Sequence, residues 1–202
     1  MKTVTVFVEG AIEKPKNPIE KELTTKCRRA FSKLFGMKHV SFVPCGGRGT
    51  TFRQFKAEFE NQSRTSWPIL LVDSEEEVIL ESKIEHLKKQ DGWDFPVGVE
   101  ERHIQFMSTC MESWLIYEQK GLRAFYGRCL QESGLPSRFE MERRHRHLLF
   151  ENLCHATRDC VKEKVYSKGI AFQILEGVDR EILKELTYFK LAFTAIQGHI
   201  NK

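Results

Sequence analysis

The sequence predicts an α/β protein: a mainly parallel four-stranded sheet flanked by helices, with a helical appendix at the C-terminal end. Three observations predict it. Short β-branched or aromatic runs alternate with amphipathic stretches through the first two thirds of the chain. Glycine, proline or acidic residues punctuate each changeover. The last third carries helical stripes and no strand candidate of comparable strength. Such alternation implies parallel strands covered on both faces. The division is placed at 1–120 for the α/β domain and 121–202 for a helical region packed on it, since no flexible linker separates them.

The elements follow in order. Val4 to Val8 alternate as a buried first strand, ended by Glu9-Gly10, and Ala11 to Pro18 is a loop with two prolines. From Ile19 a stripe of Leu23, Cys27, Ala30, Phe31 and Leu34 predicts a helix closed by Gly36. His39 to Val43 is a second strand, and Pro44-Cys45-Gly46-Gly47-Arg48-Gly49 a glycine-rich turn. Thr51 and Gln54 have capping-box spacing, and Phe52, Phe55 and Phe59 mark the inner face of the next helix. Pro68 to Val72 reads as a central strand ending in Asp73-Ser74-Glu75-Glu76-Glu77. A short helix over Ser82 to Lys89, a turn at Asp91-Gly92-Trp93, a fourth strand at His103 to Met107 and a helix over Met111 to Gln119 complete the alternation. Beyond it, Leu149, Leu153, Ala156 and Cys160 form one helical stripe, and Tyr188, Leu191, Ala192, Ala195, Ile196 and His199 another. Ile170 to Leu175 and Asp179 to Leu186 are shorter helical pieces.

Composition excludes several classes. The 202 residues include 32 Lys+Arg against 28 Asp+Glu, a net charge of +4 that does not by itself mark a nucleic-acid binder. No run approaches the roughly 18 apolar residues of a bilayer span. The N-terminal residues run straight into a strand pattern, so a cytoplasmic location and no membrane partner are expected. The six cysteines form no Cys-x-x-Cys pair and read as free buried thiols. Cys154-His155 with Cys160 matches no common zinc spacing. The run Glu142-Arg143-Arg144-His145-Arg146-His147 reads equally as a solvated helix face or as an electropositive patch for phosphates.

In open parallel sheets, ligands bind outside the carboxyl ends of the strands. Glu9 follows the first strand, Asp73 and Glu75 the third, and Glu112 comes shortly after the fourth. Gathered carboxylates repel one another, and a divalent cation neutralises them; hard oxygen ligands suit Mg²⁺ or Mn²⁺. The plain alternative is that these acids cap helices and turns. The glycine-rich turn also has two readings. Gly46 and Gly47 leave backbone amides free to face a phosphate, with Arg48 as a forked partner, or the segment is only a strand-to-helix turn. It lacks the Gly-Lys-Ser/Thr ending of a Walker loop.

Together these positions resemble the TOPRIM domain shared by topoisomerases, primases and OLD-family nucleases, a Rossmann-like fold. That family's pattern is a glutamate after the first strand and Asp-x-Asp after the third; Val6-Phe7-Val8-Glu9-Gly10 and Asp73-Ser74-Glu75 are the counterparts, with Glu75 in place of the second aspartate. The chain is closer still to a bacterial TOPRIM-like family of unknown function. That likeness is carried by Val8-Glu9-Gly10, Pro44-Cys45-Gly46-Gly47-Arg48, Leu71-Val72-Asp73-Ser74-Glu75, Gly92-Trp93, Met107, Cys110-Met111-Glu112-Ser113-Trp114 and Tyr166-Ser167-Lys168-Gly169. The resemblance implies a Mg²⁺- or Mn²⁺-dependent nuclease acting on DNA or RNA. It implies Glu9 as a metal ligand or general acid/base, Asp73 and Glu75 as metal ligands, and Glu112 on a second cation or orienting a water. It also implies Lys168 at the transition-state phosphate, and an ABC/SMC- or AAA-type ATPase partner in phage defence. Two other functions fit the same carboxylates: a regulatory subunit with a degenerate metal site, and a small-molecule phosphotransferase or phosphatase. Strand passage is not expected, because the four tyrosines lack the separate domain that would supply a nucleophile.

Overall fold

The computed structural model describes residues 3–12, 14–79, 82–161 and 164–200. The chain folds as an α/β protein around a four-stranded, all-parallel sheet. The strands are β1 (Thr3–Val8), β2 (Val40–Pro44), β3 (Ser66–Asp73) and β4 (Ile104–Met107), in the order β2-β1-β3-β4. Residues of β1 and β3 alternate between faces as a two-residue period requires. Val4, Val6, Val8, Ile69 and Leu71 enter one buried cluster, and Phe7, Leu70 and Val72 the other.

The connections explain which helix lies on which face. Helix α1 (Pro18–Phe35) leads from β1 to β2 and packs on the first face through Cys27, Ala30, Phe31 and Leu34. The next crossovers run the opposite way along the sheet, so α2 (Arg48–Glu60) and α3 (Lys83–Asp91) lie on the second face through Phe55, Phe59 and Leu87. Reversal of direction between β1 and β3 makes a topological switch point, where the loops leaving the two strands splay apart.

Helix boundaries follow local chemistry. In α1, Asn17 accepts from the Glu20 N–H at 3.0 Å and Gly36 ends the helix in the left-handed conformation. In α3, Ser82 caps the start, accepting from the Glu85 N–H at 3.1 Å. The Thr51–Gln54 capping box does not form: α2 begins earlier, with Gly47 at its N-cap, and the buried Thr51 hydroxyl donates to the Gly47 carbonyl at 3.0 Å.

The last third is helical among the described residues. It follows α4 (Glu112–Glu118) with α5 (Lys120–Tyr126), α6 (Arg146–Ala156), α7 (Lys168–Leu175), α8 (Arg180–Leu183) and α9 (Thr187–Ile200). Helix α9 packs against β4 and β1, α7 against α1, and α6 against α4. One buried cluster therefore runs from β1 through Trp114 to Leu153, Ala171 and Phe189.

Three expectations are corrected here. The cysteines are not all free: Cys129 and Cys160 form a disulfide, while Cys27, Cys45 and Cys110 are buried thiols and Cys154 a half-buried one. Cys160 also lies beyond the end of α6, so the stripe begun at Leu149 stops at Ala156. The basic run is no single helix face, because a 3₁₀ turn over Met141–Arg143 is followed by extended residues before α6 starts at Arg146. No described helix is long and apolar enough to cross a membrane.

Candidate metal centre

The site lies at the switch point, over the carboxyl ends of β1 and β3. Glu9 leaves β1 with its N–H still donating to the Leu71 carbonyl at 3.0 Å. The next residue, Gly10, exchanges backbone hydrogen bonds with Gly46 at 2.8 and 3.0 Å, tying the β1 exit loop to the β2 exit loop. Gly10 has φ 134°, and a side chain there would start 3.1 Å from the Phe172 ring. Only glycine meets both demands without strain.

Asp73, the last residue of β3, is held from two sides. Its Oδ1 accepts from the Met111 N–H at 3.0 Å, and its own N–H donates to Glu9 Oε2 at 3.3 Å. The following turn is fastened to the β4–α4 loop. Ser74 is fully buried and its N–H donates to the Met107 carbonyl at 3.2 Å. The Glu75 N–H donates to the Thr109 carbonyl at 2.9 Å, with Glu75 in the left-handed region at φ 68°. That conformation costs a non-glycine residue about 1–2 kcal/mol, and it turns the Glu75 carboxylate back toward Asp73 and Glu9. One carboxylate oxygen from each of Glu9, Asp73 and Glu75 lies within 4.8 Å of the other two.

Arg48 stands behind this group. Its Nε and Nη2 donate to the two Asp91 oxygens at 2.7 and 2.8 Å, and its Nη1 donates to the Asp73 carbonyl and lies 3.6 Å from Glu9 Oε2. The guanidinium sits over Trp93 at 5.1 Å, and Trp93 stacks on Phe52 at 4.3 Å. Trp93 is thus a packing residue, as is the fully buried Trp114.

Glu112 and Lys168 join the same cleft from other elements. The cleft, about 270 Å³, is lined by Glu9, Gly46, Gly47, Asp73, Glu112 and Lys168 among others. Glu112 is buried at the start of α4, its Oε1 accepting from the Tyr166 hydroxyl at 3.0 Å. It stands outside the close carboxylate group, which comprises Glu9, Asp73 and Glu75 among the described residues. Lys168 opens α7 and is exposed.

Electrostatics set this group apart from surface acids. Burial raises the Glu9 carboxyl above its ordinary value, only partly offset by Arg48 and the Asp73 N–H. Asp73 is pushed well above its ordinary value, first by burial and then by the charges of Glu9 and Glu112. Both groups are compressed against like charge, as expected of ligands gathered for a cation. The donor set fits a hard divalent ion. Oxygens on opposite sides of one such ion are about 4–5 Å apart, twice its usual oxygen distance, and the observed group falls inside that span.

Sequence reasoning missed three participants. Asp91 lies in a turn pattern, Asp91-Gly92-Trp93, whose sequence surroundings name no partner for Arg48. Tyr166 opens one of the segments that carry the resemblance, but that segment does not name Glu112 as its partner. Arg146, whose guanidinium pairs with Glu75, was visible only as one residue of the basic run. No family model, curated protein or solved structure matches the chain.

Proposed function

We propose that this chain is a Mg²⁺- or Mn²⁺-dependent nuclease that hydrolyses phosphodiester bonds in DNA or RNA. The observation that carries the reading is the convergence of Glu9, Asp73 and Glu75 within 4.8 Å at the switch point of a parallel sheet. The TOPRIM-like order of the motifs supports it.

In this reading the three carboxylates hold the cation. A bound Mg²⁺ would polarise a phosphoryl oxygen and lower the pKa of a coordinated water. Glu112 orients the attacking water, with its free rotation restricted by Tyr166. Lys168, exposed at the mouth of the same cleft, balances charge that builds on the phosphate. The backbone at Gly46 and Gly47 lines the same cleft. Arg48 acts as a positioning residue rather than a phosphate contact, since its guanidinium is already committed to Asp91 and the Asp73 carbonyl. An ATPase partner of the ABC/SMC or AAA type, in a phage-defence role, belongs to the same proposal through the family resemblance.

One observation favours a second reading, a regulatory subunit with a degenerate site. Arg146 already neutralises Glu75, the residue that departs from the Asp-x-Asp pattern. Cleavage assays on a panel of plasmid DNA and tRNA, with Mg²⁺ or Mn²⁺ and with EDTA, separate the two. The nuclease reading expects cutting that requires a divalent ion and disappears in Glu9→Gln. Cutting that persists in Glu9→Gln, or calorimetric Mn²⁺ binding unchanged in Asp73→Ala, overturns it.

A further inference from the structure

A second hollow of about 370 Å³ adjoins the metal cleft and shares Asp73, Glu112 and Lys168 with it. Its outer wall has a different character. Arg146, His147 and Phe150 come from the first turns of α6, and Lys168 adds a second cation from the start of α7. Three nitrogen-bearing side chains thus rim a hollow whose floor is acidic.

We infer that this hollow binds a phosphate group of the substrate strand, next to the one hydrolysed, and that Arg146 is handed from Glu75 to that phosphate. The inference rests on the nuclease reading only for the identity of the strand; the anion site stands on its own residues. Arg146 is more than a third exposed and pairs with Glu75, which is itself mostly covered. A guanidinium in that position can keep one edge on the carboxylate and turn the other to a phosphate, the forked geometry arginine offers to both. Neither α6 nor α7 has a side-chain cap at its first turn, so the amides there add partial positive charge to the same rim. The acidic floor of Asp73 and Glu112 keeps the anion at the rim. Phe150, packed edge-on against Tyr166 at 5.6 Å, offers an apolar flank for a sugar or base. An isolated inorganic phosphate would leave that flank unused.

The test uses the full chain in EDTA, so that no cation contributes. Inorganic phosphate and a 5′-phosphorylated trinucleotide are titrated by calorimetry or heteronuclear NMR. The inference expects both to bind, the trinucleotide at least about tenfold more tightly. Arg146→Ala weakens both by about tenfold, the worth of one charge-assisted contact. Glu75→Gln tightens both, because it releases Arg146 from its present partner. Glu9→Gln, at a residue that lines the metal cleft and not this hollow, shifts both far less than Arg146→Ala does, which separates this site from the metal centre. No binding by either probe to wild type and to Glu75→Gln, or binding indifferent to Arg146→Ala, overturns the site. Equal affinity for the two probes overturns its assignment to a strand, and weaker binding in Glu75→Gln overturns the hand-over. Binding as expected by a protein that cuts nothing would leave the site standing and remove only the nuclease reading.

Discussion

The two ends of the sheet solve opposite problems. At the carboxyl ends, Glu9, Asp73 and Glu75 are crowded together and their neighbours hold them there. At the amino ends, the ring of Trp67 stacks on those of His103 and His199, at 4.4 and 4.1 Å, with Arg102 over it at 4.8 Å. The first arrangement stores repulsion that a ligand can relieve. The second is closed: aromatic faces meet, and both histidines are buried. The fold is therefore fastened by ring stacking at the amino ends and loaded with like charge at the carboxyl ends.

Removing the fastening should have the largest effect on stability. Trp67→Ala is expected to cost about 3–5 kcal/mol in denaturant unfolding, while Mn²⁺ affinity at the opposite end stays within error. Loss of cation binding in that variant would break the separation of the two ends.

The ends should also respond to pH with opposite sign. Burial pushes His103 down to about 4 from an ordinary 6.5, with Arg102 adding to the effect. The unfolded chain then binds the proton more readily than the folded one. Stability from this end is present above 6.5 and is lost as pH falls toward 4, by up to about 3 kcal/mol. Glu9 and Asp73 are raised, so their contribution in the cation-free protein is greatest below the ordinary carboxylate range and is lost as pH rises through their folded values. Melting curves of wild type and His103→Gln in EDTA across pH 4–7 check this: the variant should lose the acid-side fall and keep the other slope.

A smaller effect is expected at Arg48. Replacing it by Gln leaves Asp91 without its forked partner and should destabilise the protein by about 2 kcal/mol. Mn²⁺ binding should weaken as well, because Glu9 and the Asp73 backbone lose the same support. The smallest effect sharpens the idea of stored repulsion. Asp73→Asn keeps an acceptor for the Met111 N–H but removes one charge, so in EDTA, at a pH high enough to ionise the wild-type carboxyl, its Tm should rise by about 2–4 °C. With saturating Mn²⁺ the order should invert, wild type melting above the variant.

Strand pattern and strand-end acids were legible in the sequence because each depends on local order. A buried strand such as Pro68 to Val72 needs apolar residues in succession, and Asp73 and Glu75 follow it by chain continuity alone. Gly36 and Ser82 mark helix ends for reasons contained within one turn. Contacts between distant segments were not legible. The Arg48–Asp91 fork joins residues far apart in sequence, the Glu112–Tyr166 bond more so, and neither has a spacing that a pattern can capture. The Cys129–Cys160 bridge is hidden for the same reason, and the reading of six free thiols misses it, since an even count of cysteines carries no connectivity. Gly47 beginning α2 ahead of the expected Thr51 is a local miss: a serviceable capping box was outcompeted by a glycine at the turn itself.

That disulfide has a topological meaning as well. It turns residues 129–160 into a covalent ring, and the ring carries Arg146, His147 and Phe150, the outer wall of the second hollow. A single backbone cut inside the ring cannot release either piece while the bridge is intact. The wall facing the anion hollow can thus be nicked and still remain attached at both ends, whereas the acidic floor, Asp73 at the end of β3 and Glu112 at the start of α4, has no such covalent tether and is held by hydrogen bonds alone.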